Sequence, residues 1–166
     1  LLRCRRRRRQ VGLPVDHIGL AVLVQQLVPA DVAAVVFSAN PINGSLHEIV
    51  VNSSYGLGES IVGGTTTPDT FVVDKHTLAI TSRTIGEKRR MTISIPGGTR
   101  ELETPALLRA QASATDAQVT EMADLARRLE ADTSAPVDVE CAWHSGTLYL
   151  LQSRPITTLR PTADTR

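Results

Sequence analysis

Apolar positions along this chain fall mainly in short β-branched runs separated by turn residues, with one longer stretch at helical spacing. The first dense runs, residues 18–28 (IGLAVLVQQLV) and 32–39 (VAAVVFSA), are separated by Pro29, Ala30 and Asp31 and predict two neighbouring buried strands. Asn40, Pro41, Ile42, Asn43 and Gly44 form a strong turn signal, after which residues 47–52 (HEIVVN) resume as strand. Gly56, Leu57, Gly58 and Glu59 lead into Ser60, Ile61 and Val62 and then Gly63 and Gly64, the pattern of a short helix bounded by glycines. Further strands are predicted at residues 71–74, 79–84 and 91–95, with turns at Asp74, Lys75 and His76 and at Pro96, Gly97 and Gly98.

Residues 116–131 carry the clearest helix. Thr115 and Gln118 have the spacing of a capping box, in which hydroxyl and amide satisfy each other's orphan backbone donors. Val119, Met122, Leu125, Ala126 and Leu129 recur at helical spacing and form one apolar stripe, which is read as core. The last predicted element is a hairpin of residues 137–143 and 148–153, turned at Ser145 and Gly146.

A length of 166 residues suits one ordinary domain or part of a larger protein. With 42% apolar and 21% charged residues the chain is neither collagen-like nor mainly disordered. Aromatics make up 3%, too few for the stacking surface that single-stranded nucleic acid requires. The net charge of +1 hides an asymmetry: six of the eighteen basic residues, Arg3 and Arg5 to Arg9, lie in the first nine positions. Beyond them twelve basic residues face seventeen acidic ones, a net charge of −5. Attraction to polyanions is therefore expected of the arm and not of the fold. Residues 1–16 are expected to be a disordered basic arm, 17–160 the folded unit and 161–166 a tail. Cys4 and Cys141 suggest neither a disulfide framework nor a zinc site, and no apolar run is long enough for a membrane span. A cytoplasmic protein with no membrane partner is expected. The chain opens on Leu1, which reads like the end of a piece of something longer.

Candidate chemistry concentrates on the terminal hairpin. Asp138 and Glu140 share a face of the first strand, and Gln152 and Arg154 share a face of the second. A two-residue loop would pair Glu140 with Leu151 and send Gln152 to the other side. A three-residue loop, Ser145 to Thr147, would pair Glu140 with Gln152 and Asp138 with Arg154, so that all four point one way. The opposite face would then hold Cys141, Trp143, Tyr149 and Leu151, with Trp143 facing Tyr149. Two carboxylates beside an amide and a guanidinium suit a metal-bound polyphosphate, since Mg²⁺ takes hard oxygen ligands and arginine forks onto phosphate oxygens. From spacing alone, an exposed strand face carrying charge pairs is the simpler reading. His17, His47, His76 and His144 are read as surface histidines.

The residues themselves add more. Asp138, Val139 and Glu140 followed by residues 148–157 (LYLLQSRPIT) resemble the end of the ATP-grasp-type nucleotide-binding domain of the phosphoenolpyruvate synthase and pyruvate phosphate dikinase family, which includes rifampicin phosphotransferases. Residues 24–28 (VQQLV), 35–41 (VVFSANP), 53–59 (SSYGLGE) and 67–69 (TPD) recur in the same order, so the resemblance covers roughly residues 18–158. It implies an α+β fold, the C-terminal lobe of an ATP-grasp domain, with a largely antiparallel sheet and a few helices.

The resemblance also implies cofactors, ATP and Mg²⁺, and roles for named residues. Glu140 and Gln152 would hold magnesium and the nucleotide phosphates. Arg154, the implied catalytic residue, would contact the terminal phosphates, and Asp138 would support the metal or ribose side. Gln25, Gln26, Leu27 and Val28 would form the hinge that receives adenine through backbone groups. Gly56, Gly58 and Glu59 would bend the chain beside the cleft, although a purely structural turn fits them equally. Cys141 stands where the family usually has an aromatic, on the packing face. The implied partners in a complete enzyme are an N-terminal lobe, a phosphohistidine domain and an acceptor-binding domain. The rival expectation is a non-catalytic module whose arginine arm binds nucleic acid or an acidic partner.

Overall fold

A computed structural model of the chain describes residues 23–64 and 66–157. Its centre is a six-stranded sheet in which every neighbouring pair is antiparallel. In chain order the strands are β1 (Val32–Phe37), β2 (Glu48–Tyr55), β3 (Asp69–Asp74), β4 (Ile80–Thr84), β7 (Val137–His144) and β8 (Thr147–Pro155). They lie side by side as β4-β3-β2-β1-β7-β8. A separate two-stranded hairpin, β5 (Arg90–Ile95) and β6 (Gly98–Glu103), stands beside this sheet. The helices are α1 (Glu59–Val62), α2 (Ala106–Arg109) and α3 (Asp116–Thr133). None of them is long and apolar enough to cross a membrane.

Helix α3 covers one face of the sheet. Its capping box forms as expected: Gln118 N–H donates to the Thr115 hydroxyl at 3.3 Å, and Thr115 N–H donates to Gln118 Oε1 at 2.9 Å. The helix runs to Thr133, two residues beyond expectation, and stops at Ser134, whose positive φ of 54° breaks the helical path before Pro136. Val119, Met122, Ala123 and Ala126 meet Val32, Ala34 and Val36 of β1, Ile49 and Val51 of β2, Phe71 and Val73 of β3, and Val137, Val139, Cys141 and Trp143 of β7 in one buried cluster. Strand alternation leaves the other face of these strands uncovered by the helix.

The run at residues 18–28 is a correction. Its first five residues lie outside the described part, and residues 23–28 form no strand, with Leu23 83% and Val24 91% exposed. Both edges of β1 are already taken, by β2 and β7, and Pro29 lacks the N–H that a ladder needs. Strand β6 and helix α2 were not foreseen. The former (GTRELE) is almost wholly exposed and pairs only with β5, so it carries no alternating pattern, while the latter is a single turn entered through Pro105.

The small hairpin is tied to the sheet by two devices. Gly56, at φ +73°, bridges to Thr92, and Leu57 N–H donates to the Thr92 carbonyl at 2.7 Å. A Cβ on Gly56 would lie 2.3 Å from that same oxygen, so only glycine permits the contact. The second device is a buried charge. Lys88 Nζ, fully buried, donates to Asp69 Oδ1 at 2.5 Å and to the Gly86 carbonyl at 2.8 Å. Gly86 N–H also donates to Asp69 Oδ1, and Ser113 N–H and its hydroxyl both donate to Oδ2 at 2.7 Å. The Ser113 hydroxyl in turn shares a hydrogen bond with that of Ser53. Asp69→Ala is expected to destabilise the chain by about 3–5 kcal/mol, because it strands a buried ammonium. Lys88→Met is expected to cost less, since Asp69 keeps three of its donors. Urea unfolding followed by circular dichroism would check this, and a larger loss for Lys88→Met would contradict the network's logic.

A cleft at the terminal hairpin

The β7–β8 hairpin reaches the expected pairing by a different route. Ser145 (φ 50°) and Gly146 (φ 78°) form a two-residue turn with both residues left-handed, the geometry that matches the twist of paired strands. His144 faces Thr147 and Cys141 faces Leu150, yet Glu140 faces Gln152, so Leu151 is an extra residue bulged out of the ladder. The three-residue loop is thus replaced by a tight turn plus a bulge. Without that bulge Gln152 and Arg154 would pass to the opposite face. As it stands, Glu140 opposes Gln152 and Asp138 opposes Arg154, all on the face away from α3.

The bulge also corrects the expected packing face. Cys141 and Trp143 are buried in the core as predicted, but Trp143 faces Leu148, and Tyr149 opposes Ala142 on the Glu140 side. Leu151 lines the cleft. Asp138 is 8% exposed, and its Oδ2 accepts from Arg154 Nε at 2.8 Å and Nη2 at 2.7 Å. Its Oδ1 is buried without a hydrogen-bond partner. Burial pushes the Cys141 thiol up to about 12, which suits its place among apolar side chains.

A cleft of about 470 Å³ opens on this face. Residues 25–28 border it together with Glu140 and Gln152, and Ala33, Leu57, Val62, Ala142 and Leu151 supply apolar lining. Glu59 and Thr99 complete the rim. The described structure therefore brings the expected hinge and two of the expected hairpin residues to one cavity, with the Asp138–Arg154 pair one step farther along the strands. Thr99 was missed because β6 was missed, although the Pro96, Gly97, Gly98 turn after a strand already signals a return strand. The residues 3–9 that carry the arginine run lie outside the described part.

Register gives the cleft an axis. Asp31 N–H donates to the Trp143 carbonyl at 2.8 Å, so the segment after the hinge enters the sheet at the turn end of β7. Along β7 from there, Ala33 pairs with Ala142, Val35 with Glu140 and Phe37 with Asp138. Gly58 sits over Ala33, where a Cβ would lie 3.5 Å from the alanine methyl. Hinge, Ala142 level, Glu140 with Gln152, and Asp138 with Arg154 thus follow one another in a line.

Among the described residues no three His, Cys, Asp or Glu side chains are grouped to hold a metal. Glu140 and Gln152 side by side, with the orphaned Asp138 Oδ1 nearby, fit Mg²⁺ of the kind that shares a few protein oxygens with phosphates and water.

Residues 2–166 match the family described as pyruvate phosphate dikinase, AMP/ATP-binding domain. The chain belongs to this family. It is 38% identical over 154 residues to a probable phosphoenolpyruvate synthase of Methanocaldococcus jannaschii. It is 36% identical over 166 residues to the phosphoenolpyruvate synthase of Pyrococcus furiosus, and 37% over 155 residues to the rifampicin phosphotransferase of Streptomyces sviceus. These alignments cover 92%, 94% and 93% of the chain but only 13%, 20% and 18% of those proteins. The family resemblance seen in the hairpin motifs is thereby established, as is the nucleotide-binding character of the domain, on an α+β fold whose sheet is largely antiparallel.

The face assignment has a direct check. Cys141 is expected to resist iodoacetamide at pH 8.5 in the folded chain and to react once the chain is unfolded in urea, as read by peptide mass spectrometry. Rapid labelling of folded chain at Cys141 would place it on the cleft side and reverse the alternation of β7.

Proposed function

We propose that this chain is the ATP- and magnesium-binding lobe of a phosphoenolpyruvate synthase-like phosphotransferase, built as the C-terminal lobe of an ATP-grasp domain. One observation carries the reading: residues 25–28 and the Glu140–Gln152 pair border the same cleft, in an order along β7 that runs as base to phosphate runs in a nucleotide. Backbone groups of residues 25–28 receive the adenine edge, and the apolar lining excludes water from its faces. Glu140 and Gln152 offer adjacent oxygens to the metal, which when bound neutralises phosphate charge and bridges phosphate oxygens. Asp138 lies beyond Glu140 from the hinge, which favours the metal side over the ribose side for it. It also holds the Arg154 guanidinium through two hydrogen bonds, leaving the remaining donors for the terminal phosphates.

In a complete enzyme of this type, ATP would phosphorylate a histidine on another domain, and the phosphate would pass to pyruvate or another acceptor. The names of the relatives support a shared phosphoryl-donating lobe with differing acceptors.

Titration of the 166-residue chain with ATP in Mg²⁺, followed by NMR, tests the reading. Shifts are expected at residues 25–28 and along β7 and β8, with affinity near millimolar, about −4 kcal/mol. Glu140→Ala is expected to remove the metal-dependent part of binding. Arg154→Lys should weaken binding several-fold, because an ammonium cannot reproduce a forked contact. Shifts confined to residues 1–16, and unchanged in Glu140→Ala, would refute the nucleotide site and leave the arm as the anion-binding element.

A further inference from the structure

We propose that Glu59 accepts hydrogen bonds from the ribose hydroxyls of the bound nucleotide and makes this cleft selective for ribonucleotides over deoxyribonucleotides; this rests on the nucleotide-site reading. Glu59 is exposed and lines the cleft; its backbone carbonyl accepts from Gly63 N–H, while its carboxylate has no hydrogen-bond or ion-pair partner among the described residues. Its position is built. Gly56 is clamped to Thr92, Gly58 lies against Ala33, and Glu59 follows as the first residue of α1.

That placement fixes its level along the cleft. Ala33 pairs with Ala142, which stands two residues from Glu140 on β7, a separation of roughly 7 Å at strand rise. In the other direction lies the end of the sheet where residues 25–28 lead in through Asp31. Glu59 thus stands between the base end and the metal end, where the sugar of a nucleotide falls.

The chemistry selects the same part of the ligand. An unpaired carboxylate repels phosphate oxygens and gains nothing from the faces of a base. A vicinal diol offers two O–H donors to the two acceptor oxygens of one carboxylate, and a charged acceptor makes these bonds stronger than neutral ones. The same pairing of an acidic side chain with a ribose hydroxyl recurs in dinucleotide-binding folds that share nothing else with this one.

The test compares ATP with 2′-deoxy-ATP, each titrated in Mg²⁺ into the full chain and into Glu59→Ala, with dissociation constants from NMR shifts. The unaltered chain is expected to prefer ATP by about tenfold, equivalent to about 1.4 kcal/mol. Glu59→Ala should abolish the preference, weakening ATP, which loses the bonds of both hydroxyls, more than 2′-deoxy-ATP, which has only its 3′-hydroxyl bond to lose. Glu59→Gln should show an intermediate preference, since an amide oxygen still accepts. Equal affinities for the two nucleotides in the unaltered chain would overturn the inference while leaving the nucleotide site standing. Equal weakening of both nucleotides by Glu59→Ala would overturn it too, assigning Glu59 to the metal or to the turn. Absence of cleft shifts with either nucleotide would instead refute the nucleotide site itself.

Discussion

The Asp69 carboxylate connects segments that no strand ladder joins. It belongs to the first residue of β3, takes Lys88 and Gly86 from the approach to the β5–β6 hairpin, and takes Ser113 from the approach to α3. Five hydrogen bonds around a fully buried ion pair meet the demand that such a pair makes, because desolvated charges are tolerable only when their remaining valences are filled. A two-stranded hairpin is marginal by itself in water. Here it is held at its base by Lys88 and at Thr92 by the Gly56 turn, so that Thr99 near its tip can stand at the rim of the cleft. Lys88 also lies 5.8 Å from the Tyr55 ring, whose hydroxyl is pushed up by burial and by the neighbouring Asp69 charge. The wall of the cleft therefore depends on an ion pair whose own residues do not line the cleft.

The floor of the cleft depends on a bulge. Period-2 alternation obliges β7 to divide its residues between the helix-covered face and the open face, and β8 must follow in register. A two-residue turn alone would have placed Leu151 opposite Glu140 and put neither Gln152 nor Arg154 on the open face. The extra residue reconciles the tight turn, which strand twist favours, with the side-chain set that the open face carries. Leu151 is not wasted by being extruded, since it becomes part of the apolar lining.

Much of this was legible because local signals coincided with the global arrangement. The α3 cap and stripe and the glycine-bounded α1 follow from spacing, while the partners of Asp138 and Glu140 were one of the two pairings that spacing allowed. The motif blocks carried the family across nearly the whole chain. What could not be read had physical reasons. Residues 23–28 have the composition of a strand but no free ladder edge beside β1, and edge availability is a property of the assembled sheet. Strand β6 has both faces in water and hence no period. The bulge at Leu151 is invisible because one inserted residue leaves composition unchanged, and the same pairing follows from a longer loop. The Lys88–Asp69 pair joins residues nineteen apart whose burial no local pattern announces.

The electrostatics of the cleft set a condition on the proposed nucleotide site. Among the described residues that line it there are two carboxylates, Glu59 and Glu140, and no lysine or arginine. Arg154 stands just beyond, but its charge already meets that of Asp138 through two hydrogen bonds. A triphosphate entering such a surface would meet net repulsion over its charged end while its base found a favourable apolar berth. Binding can be favourable only if the base and sugar supply attraction, or if positive charge is brought to the phosphates by a divalent cation or by groups outside the described residues. The arrangement thus separates two tasks along one strand. On the proposed reading the end at residues 25–28 would recognise the neutral part of the nucleotide, and the Glu140 end would recognise phosphate only in company with a metal, whose affinity for hard oxygens would turn the local negative charge from a penalty into the means of attachment.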